Sequence, residues 1–357
     1  MSHVAPHSAL NTKLTRMTGC QYPIIQSAMG WVATGPLCAA TANAGAMGFI
    51  GSATMDLQQL AEEIAWVKDH TDKPFGVNMR SDAPDANERV QLMIKSGVKF
   101  AGFALAPKEK LIKTLKDAGI VCIPSIGAKR HAEKVASWGA DALIVQGGEG
   151  GGHTGSIATT ILLPQIVDAV DIPVIAAGGF FDGRGLVAAL AYGAQGVAMG
   201  TRFLLTRESP VPDNVKTAYL KAGVGDTVAT DQVDGHQHRM IRNSFVDKLL
   251  TTPAWKNLPL AVANALKLKS LTGIPFTDML KQGWSMKKDH GYGWLQVVMA
   301  ANTPVLLRTT MVEGKTEFGI MPGGQVMGLI DKVESCEELV RNIVTQANGV
   351  LEGFARG

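Results

Sequence analysis

The residues best suited by type to do chemistry lie in one run, Val145-Gln-Gly-Gly-Glu-Gly-Gly-Gly-His-Thr-Gly155, where six glycines surround one histidine within eleven positions. Glycine has no Cβ, so this backbone can come close to a bulky flat or phosphorylated ligand. His153 is suited to donate or accept a proton near neutral pH; a satisfied structural histidine is the plainer alternative. Glu149 is better suited to accepting loop N–H groups than to acting as a base. The run follows the apolar segment Ala142-Leu-Ile-Val145. A strand that empties into a glycine loop with one polar side chain is how α/β proteins build active sites.

Two further glycine clusters carry a second signal: Ala176-Ala-Gly-Gly179 and Met199-Gly-Thr-Arg202. Paired loops of this kind bind phosphate through backbone N–H groups in barrel enzymes. Gly179, Gly200 and Thr201 are the phosphate candidates, with Gly178 beside them; tight turns are the alternative reading. The remaining polar or small residues at apparent strand ends are Ser27, Ala28 and Met29, then Asn78 and Arg80, Ser125, and Gln146 with Gly151 in the glycine run. Asn78 and Gln146 could hydrogen-bond a flat heteroaromatic ring or its polyol chain, or tie loops together. Met29 and Trp31 could pack on a planar ligand or be plain core. This set lacks the paired carboxylates of glycosidases, a His/acid cluster at metal spacing and a GxSxG serine. No metal site is expected, and His236 and His238 read as surface residues. Glycine, amide and hydroxyl groups around one histidine suit a cofactor that brings its own reactivity. Gly150-x-Gly-x-x-Gly155 and Gly183-x-Gly-x-x-Ala188 loosely match a dinucleotide fingerprint. Neither has an acidic residue suitably placed after a following strand, so both read as barrel loops.

Eight short apolar segments could position these residues: Ile24–Met29, Met47–Ser52, Phe75–Met79, Phe100–Leu105, Val121–Ser125, Ala142–Gln146, Val174–Gly178 and Gly196–Phe203. Most are apolar on both faces, as buried parallel strands must be. Helical periodicity follows in Leu57–His70, Asp85–Ser96, Lys108–Ala118, Arg130–Trp138 and Gly185–Tyr192. Gly97, Gly119, Gly139 and Gly193 stand where left-handed C-terminal caps would close these helices. Eight such units predict a TIM (β/α)8 barrel, with an open doubly wound sheet as the rival.

Residues 206–316 have a different texture, rich in Lys, Met and Trp, and predict an inserted, mostly helical lid after strand eight. Between Arg242 and His290 eight basic residues face three aspartates. A solvated helical surface is the plain reading; a landing zone for a polyanionic substrate is the functional one. Gly323–Ile330 and the amphipathic stretch Cys336–Phe354 return to the barrel as its eighth helix. The organisation expected is thus a loose tail over 1–11, a barrel over 12–205 plus 317–357, and the lid between. Hydrophobic residues make up 46% and charged residues 18%, so a large core is available. The near-balanced charge, 34 basic against 31 acidic residues, argues against nucleic acid as main partner. No apolar run reaches bilayer length, so no membrane association is expected. Cys20, Cys38, Cys122 and Cys336 are scattered without a CxxC pair, as in a reduced, cytoplasmic protein.

These motifs resemble those of the FMN-dependent nitronate monooxygenase family, formerly called 2-nitropropane dioxygenases. That group includes barrel NADH:quinone reductases and flavin-type enoyl-acyl-carrier-protein reductases. The similarity runs from Pro23-Ile-Ile-Gln26 to Gly324-Gln-Val-Met-Gly-Leu-Ile330. Its most specific stretches are Gly147–Gly155, Ala177-Gly-Gly-Phe-Phe-Asp-Gly-Arg-Gly185 and Met199-Gly-Thr-Arg-Phe203. The resemblance implies that Gly179, Gly200 and Thr201, beside Gly178, hold the FMN phosphate. It implies that Ser27, Ala28 and Met29 lie along the isoalloxazine edge, and that Asn78, Gln146 and Gly151 touch the flavin or line its pocket. His153 matches the histidine that moves a proton near flavin N5. The chain departs from many members in carrying Ser27-Ala-Met29, and from some in having Ser125 where they have a lysine. Its fine texture is similar to a subgroup of CoA-ester reductases of bacterial steroid-ring degradation, through Met29-Gly-Trp-Val32, Gly76-Val-Asn78, Phe103-Ala-Leu-Ala-Pro107 and Ala300-Ala-Asn-Thr-Pro304.

The activity implied is reduction of an unsaturated CoA thioester by bound FMN, with NADH or NADPH as co-substrate. Oxidation of alkyl nitronates with oxygen is the alternative, and a non-catalytic barrel that binds a phosphorylated ligand a third. A homodimer is compatible with the sequence.

Overall fold

The computed structural model describes residues 4–104, 107–252, 259, 262–264, 297, 299–300 and 302–356. Its strands are β1 (Ile24–Gln26), β2 (Phe49–Gly51), β3 (Gly76–Arg80), β4 (Phe100–Ala104), β5 (Val121–Ile126), β6 (Leu143–Gln146), the two-residue β7 (Gly152–His153), β8 (Val174–Ala177) and β9 (Val197–Met199). All but β7 join one parallel sheet in the order β1-β9-β8-β6-β5-β4-β3-β2. The seam between its ends is closed by Gln26 N–H on Met47 O and Met47 N–H on Ile24 O, both 2.9 Å. The strands therefore run round in chain order with no reversal, which makes a barrel and excludes the doubly wound sheet. Alternation sorts the core. Ile25, Ile175, Ala177 and Ala198 share one apolar cluster with Phe49, Phe100 and Ile123, the barrel interior. Their neighbours Ile24, Val174, Ala176 and Val197 pack under the helices.

The helices are α1 (Lys13–Thr18), α2 (Gly35–Asn43), α3 (Leu57–His70), α4 (Ala86–Lys95), α5 (Glu109–Asp117), α6 (Lys129–Ser137), α7 (Thr159–Val167), α8 (Gly183–Ala191), the single turn α9 (Thr201–Leu204), α10 (Asp213–Lys221), α11 (Ser244–Thr251), α12 (Asn302–Met311) and α13 (Cys336–Arg356). Helix α3 begins in a capping box: Gln59 N–H donates to Asp56 at 2.8 Å, and Asp56 N–H to Gln59 at 3.0 Å. The long α13 buries Cys336, Leu339, Val340, Ile343, Val344 and Ala347, a single helical face. It packs against α8 and α2 and so occupies the eighth helix position. Gly183 permits that contact. A Cβ there would lie 2.4 Å from Ile343 O and Ala347 N, so this glycine serves helix packing.

Two expectations change. The eighth strand stops at Met199, and Thr201–Leu204 form a helical turn; an apolar run crossing a strand–helix junction hides the boundary. The tail is docked from Val4 onward. Tyr22 Oη donates to Val4 O at 2.7 Å, Asn348 Nδ2 to Ala5 O at 2.9 Å, and Leu10 is fully buried. Its partners lie far along the chain, out of reach of local reading. The insertion, expected to be mostly helical, holds α10, α11 and α12 among its described residues and also strands β10 (Thr227–Thr230) and β11 (His238–Ile241), which pair antiparallel, and β11 pairs with β7. Val233, Met240, Val246, Leu249, Leu306 and Ile320 form a small core there. Strand β11 takes β7, itself one glycine and one histidine, as its second partner. The basic residues Lys256, Lys267, Lys269, Lys281, Lys287 and Lys288 lie outside the described residues. Among the described residues no helix is long and apolar enough to cross a membrane. The four cysteines are unpaired.

Candidate active site

One cavity of about 710 Å³ opens at the C-terminal ends of the barrel strands, the end where barrel enzymes place their reacting groups. Ser27, Ala28 and Met29 after β1, Asn78 on β3 and Ser125 on β5 all line it. So do Gln146, Gly151 and His153 from β6 and its loop, Gly178 and Gly179 after β8, and Gly200 and Thr201 after β9. These candidates therefore meet in one space, although they span residues 27–201, whereas Arg80 and Trp31 do not line it.

Local chemistry explains how each is held. Asn78 stands in register with Gly102, whose missing side chain leaves space for the Asn78 amide; a Cβ at Gly102 would lie 2.8 Å from it. Gln146 Nε2 donates to Gly151 O at 3.2 Å and His153 O at 2.9 Å, so this end of its amide braces the loop. Glu149 also braces the loop. Its carboxylate accepts Thr159 N–H at 2.9 Å and Thr159 Oγ1 at 2.7 Å. Gly178 has φ +86° and sits against the loop backbone, where a Cβ would lie 2.9 Å from Gly147 O; only glycine fits without strain. Asp182 then caps α8 by accepting Gly185 N–H at 3.1 Å. Thr201 Oγ1 accepts Gly324 N–H at 3.0 Å, fastening the returning chain over the ninth strand's end.

Trp31 departs from its expected place. Its indole Nε1 donates to Pro304 O at 3.1 Å on α12, and the Arg308 guanidinium lies 5.5 Å from the ring. Its backbone is left-handed, φ +64°, a conformation that a bulky residue keeps only when its surroundings enforce it. Met29 lines the cavity and Trp31 ties the first loop to the insertion.

The surroundings of His153 come from the insertion, and sequence reading missed them. His153 Nε2 lies 2.7 Å from Asp234 Oδ2. Asp234 is 5% exposed and also accepts Thr303 Oγ1 at 2.6 Å and His236 N–H at 3.1 Å. Burial by itself would raise its pKa. The hydrogen bond and charge of His153, with the Thr303 hydroxyl, outweigh that and hold the carboxyl well below the usual carboxylate range. His238, expected at the surface, is 2% exposed, and burial and then the charge of His153 push its pKa down to about 3. The pairing of β11 with β7 buries it; its own four-residue strand gives no such sign. Among the described residues His153, Asp234 and His238 form a group whose ligand atoms lie within 4.8 Å of one another. The His153 and His238 ring planes are only 32° apart at a centroid distance of 4.7 Å. In this structure His153 and Asp234 form a hydrogen-bonded dyad, and the buried His238 ring packs beside it.

The volume lies within the roughly 300–1,000 Å³ of small-molecule sites. The glycine loops after β8 and β9, the amide of Asn78 and the hydroxyls of Ser27 and Ser125 supply what a phosphorylated heteroaromatic cofactor needs: close backbone approach at one end and a few polar contacts along a mostly apolar lining.

The family model for nitronate monooxygenase matches residues 11–346. The chain is 55% identical over 340 residues to the (3aS,4S,5R,7aS)-5-hydroxy-7a-methyl-1-oxo-octahydro-1H-indene-4-carboxyl-CoA dehydrogenase of Rhodococcus jostii strain RHA1, covering 95% of this chain and 96% of that one. It is 56% identical over 341 residues, with the same coverage, to the protein of the same name from Mycobacterium tuberculosis. Among solved structures it is similar to FabK from Thermotoga maritima, with a TM-score of 0.78 and 34% identity over 97% of this chain and 98% of that one.

Proposed function

The chain belongs to the nitronate monooxygenase family of FMN-dependent oxidoreductases, and from that premise we propose that it moves hydrogen between FMN and the acyl ring of a steroid-derived CoA thioester, with NADH or NADPH as the other redox partner. The observation that carries this reading is the single cavity in which the glycine loops, Asn78 and His153 meet. The similarity to two CoA-ester dehydrogenases over 95% of the chain supports the substrate class. Those names give the oxidising direction, whereas reduction of an unsaturated ester is the same step reversed; reactant concentrations decide which way it runs.

Gly178, Gly179, Gly200 and Thr201 would hold the FMN phosphate at the ends of β8 and β9. Ser27, Ala28 and Met29 would border the ring system, with Asn78, Ser125, Gln146 and Gly151 around it. Bound FMN would supply hydride transfer, the part of the chemistry no side chain provides. His153 would take the proton from the thioester's α-carbon on oxidation and return it on reduction. The apolar lining excludes water and so protects the reduced state.

Anaerobic mixing of the FMN-loaded protein with single compounds tests this. NADH or NADPH should bleach the yellow absorbance and an unsaturated CoA ester should restore it. Failure of both nicotinamides and of the saturated CoA ester to bleach it would remove the proposal. A second reading, nitronate oxidation, follows from the family match itself. Oxygen uptake driven by an alkyl nitronate without nicotinamide would favour it.

A further inference from the structure

We propose that Asp234, carried by the insertion, is the positioning residue that fixes the tautomer and orientation of His153, leaving Nδ1 as the nitrogen available to the reactants. The inference deepens, and rests on, the reading of His153 as the proton-moving group.

An ionised carboxylate only accepts hydrogen bonds, so the 2.7 Å contact requires His153 Nε2 to carry the hydrogen. In the neutral ring Nδ1 is then the basic nitrogen, and the imidazolium formed after proton uptake gains a charge-assisted bond to Asp234. The carboxylate is itself fixed from three sides, by His153, by the Thr303 hydroxyl at the start of α12 and by the His236 amide. The dyad has a closed end and an open end: the Asp234 side chain is 6% exposed, whereas that of His153 is 42% exposed in the cavity. The backbone of His153 is also held, through Gln146 Nε2 on its carbonyl and Thr154 N–H on Gln237 O. Among the described residues the titratable side chains in contact with the ring are Asp234, His236 and His238, with His236 edge-on at 5.8 Å. The barrel thus brings the histidine and the insertion brings the group that orients it. Without the insertion the glycine loop would present an imidazole free to rotate.

The experiment uses FMN-loaded wild type, D234N, D234E, H153A and the H153A/D234N double variant. The two half-reactions are followed separately without air. D234N should keep its flavin spectrum and its reduction by NADH or NADPH, since hydride delivery from nicotinamide needs no carbon acid. Its CoA-ester half-reaction should slow by on the order of 10²-fold or more. D234E should restore part of the rate, and D234N should add nothing in the H153A background. A D234N enzyme with a wild-type CoA-ester rate would overturn the assignment, as would multiplying effects in the double variant or no rescue by D234E. An H153A enzyme as fast as wild type would overturn the underlying reading as well, and is seen separately.

Discussion

His153 on β7 and His238 on β11 stand opposite each other in antiparallel register, their ring centroids 4.7 Å apart. One ring opens to the cavity and the other is buried behind it, so a charge on the first disfavours a charge on the second.

That relationship predicts a pH dependence of stability. His238 has a folded pKa of about 3 against an ordinary value of 6.5, so between those values the unfolded chain binds the extra proton. Stability is then complete above pH 6.5 and falls as pH drops toward 3, by up to roughly 1.4 kcal/mol per pH unit. Asp234, whose folded pKa is depressed, adds to the loss only below its ordinary 3.8. Urea unfolding between pH 6.5 and about 4 should show the slope in wild type and a flatter line in H238L. Parallel slopes would dissociate His238 from it.

Replacement of the proton-moving residue should be visible in turnover alone. H153A should retain bound FMN while the CoA-ester reaction slows on the order of 10²–10⁴-fold. Stopped-flow absorbance of the flavin separates binding from chemistry, and an unchanged rate would exclude the residue from the mechanism.

The adjacent glycines Gly178 and Gly179 should fail differently. Both have positive φ, +86° and +85°, but a Cβ at 178 meets Gly147 O at 2.9 Å while one at 179 meets nothing nearer than 3.7 Å. G179A should cost about 1–2 kcal/mol of backbone strain and weaken FMN binding by crowding the phosphate loop. G178A should cost more stability than that. Urea midpoints and FMN titration of the two variants give the ranking; equal FMN affinity in G179A and wild type would move the phosphate elsewhere.

Arg202 ends the second phosphate-loop motif, Met199-Gly-Thr-Arg202, but does not line the cavity. Its guanidinium pairs with Glu334, whose side chain is 6% exposed and also accepts Asn342 Nδ2 at 2.7 Å. E334A leaves the arginine buried without its partner and should destabilise by about 3–5 kcal/mol, with the flavin half-reactions little changed when measured well below the unfolding midpoint. A wild-type midpoint would show that the pair contributes nothing net.

Much of the barrel was legible because its determinants are local. Leu57–His70 appears as written in the sequence, from the apolar spacing of Leu60, Ile64 and Val67. Gly97, Gly119, Gly139 and Gly193 close their helices with positive φ. Strand ends followed by glycine loops placed Ser27, Asn78, Gln146, Gly179, Gly200 and Thr201 at one rim, since parallel strands of a barrel all point the same way.

The sequence by itself determined the repeating strand–helix units, the rim that gathers the glycine loops, and His153 as the ionisable group among them, because hydrophobic period and glycine position act over a few residues. Only the tertiary structure decided that His153 meets Asp234, that His238 is buried beside it, and that Trp31 turns away to Pro304. Those contacts join segments far apart in the chain, through a two-residue strand with no periodicity of its own, and depend on how the insertion packs on the barrel.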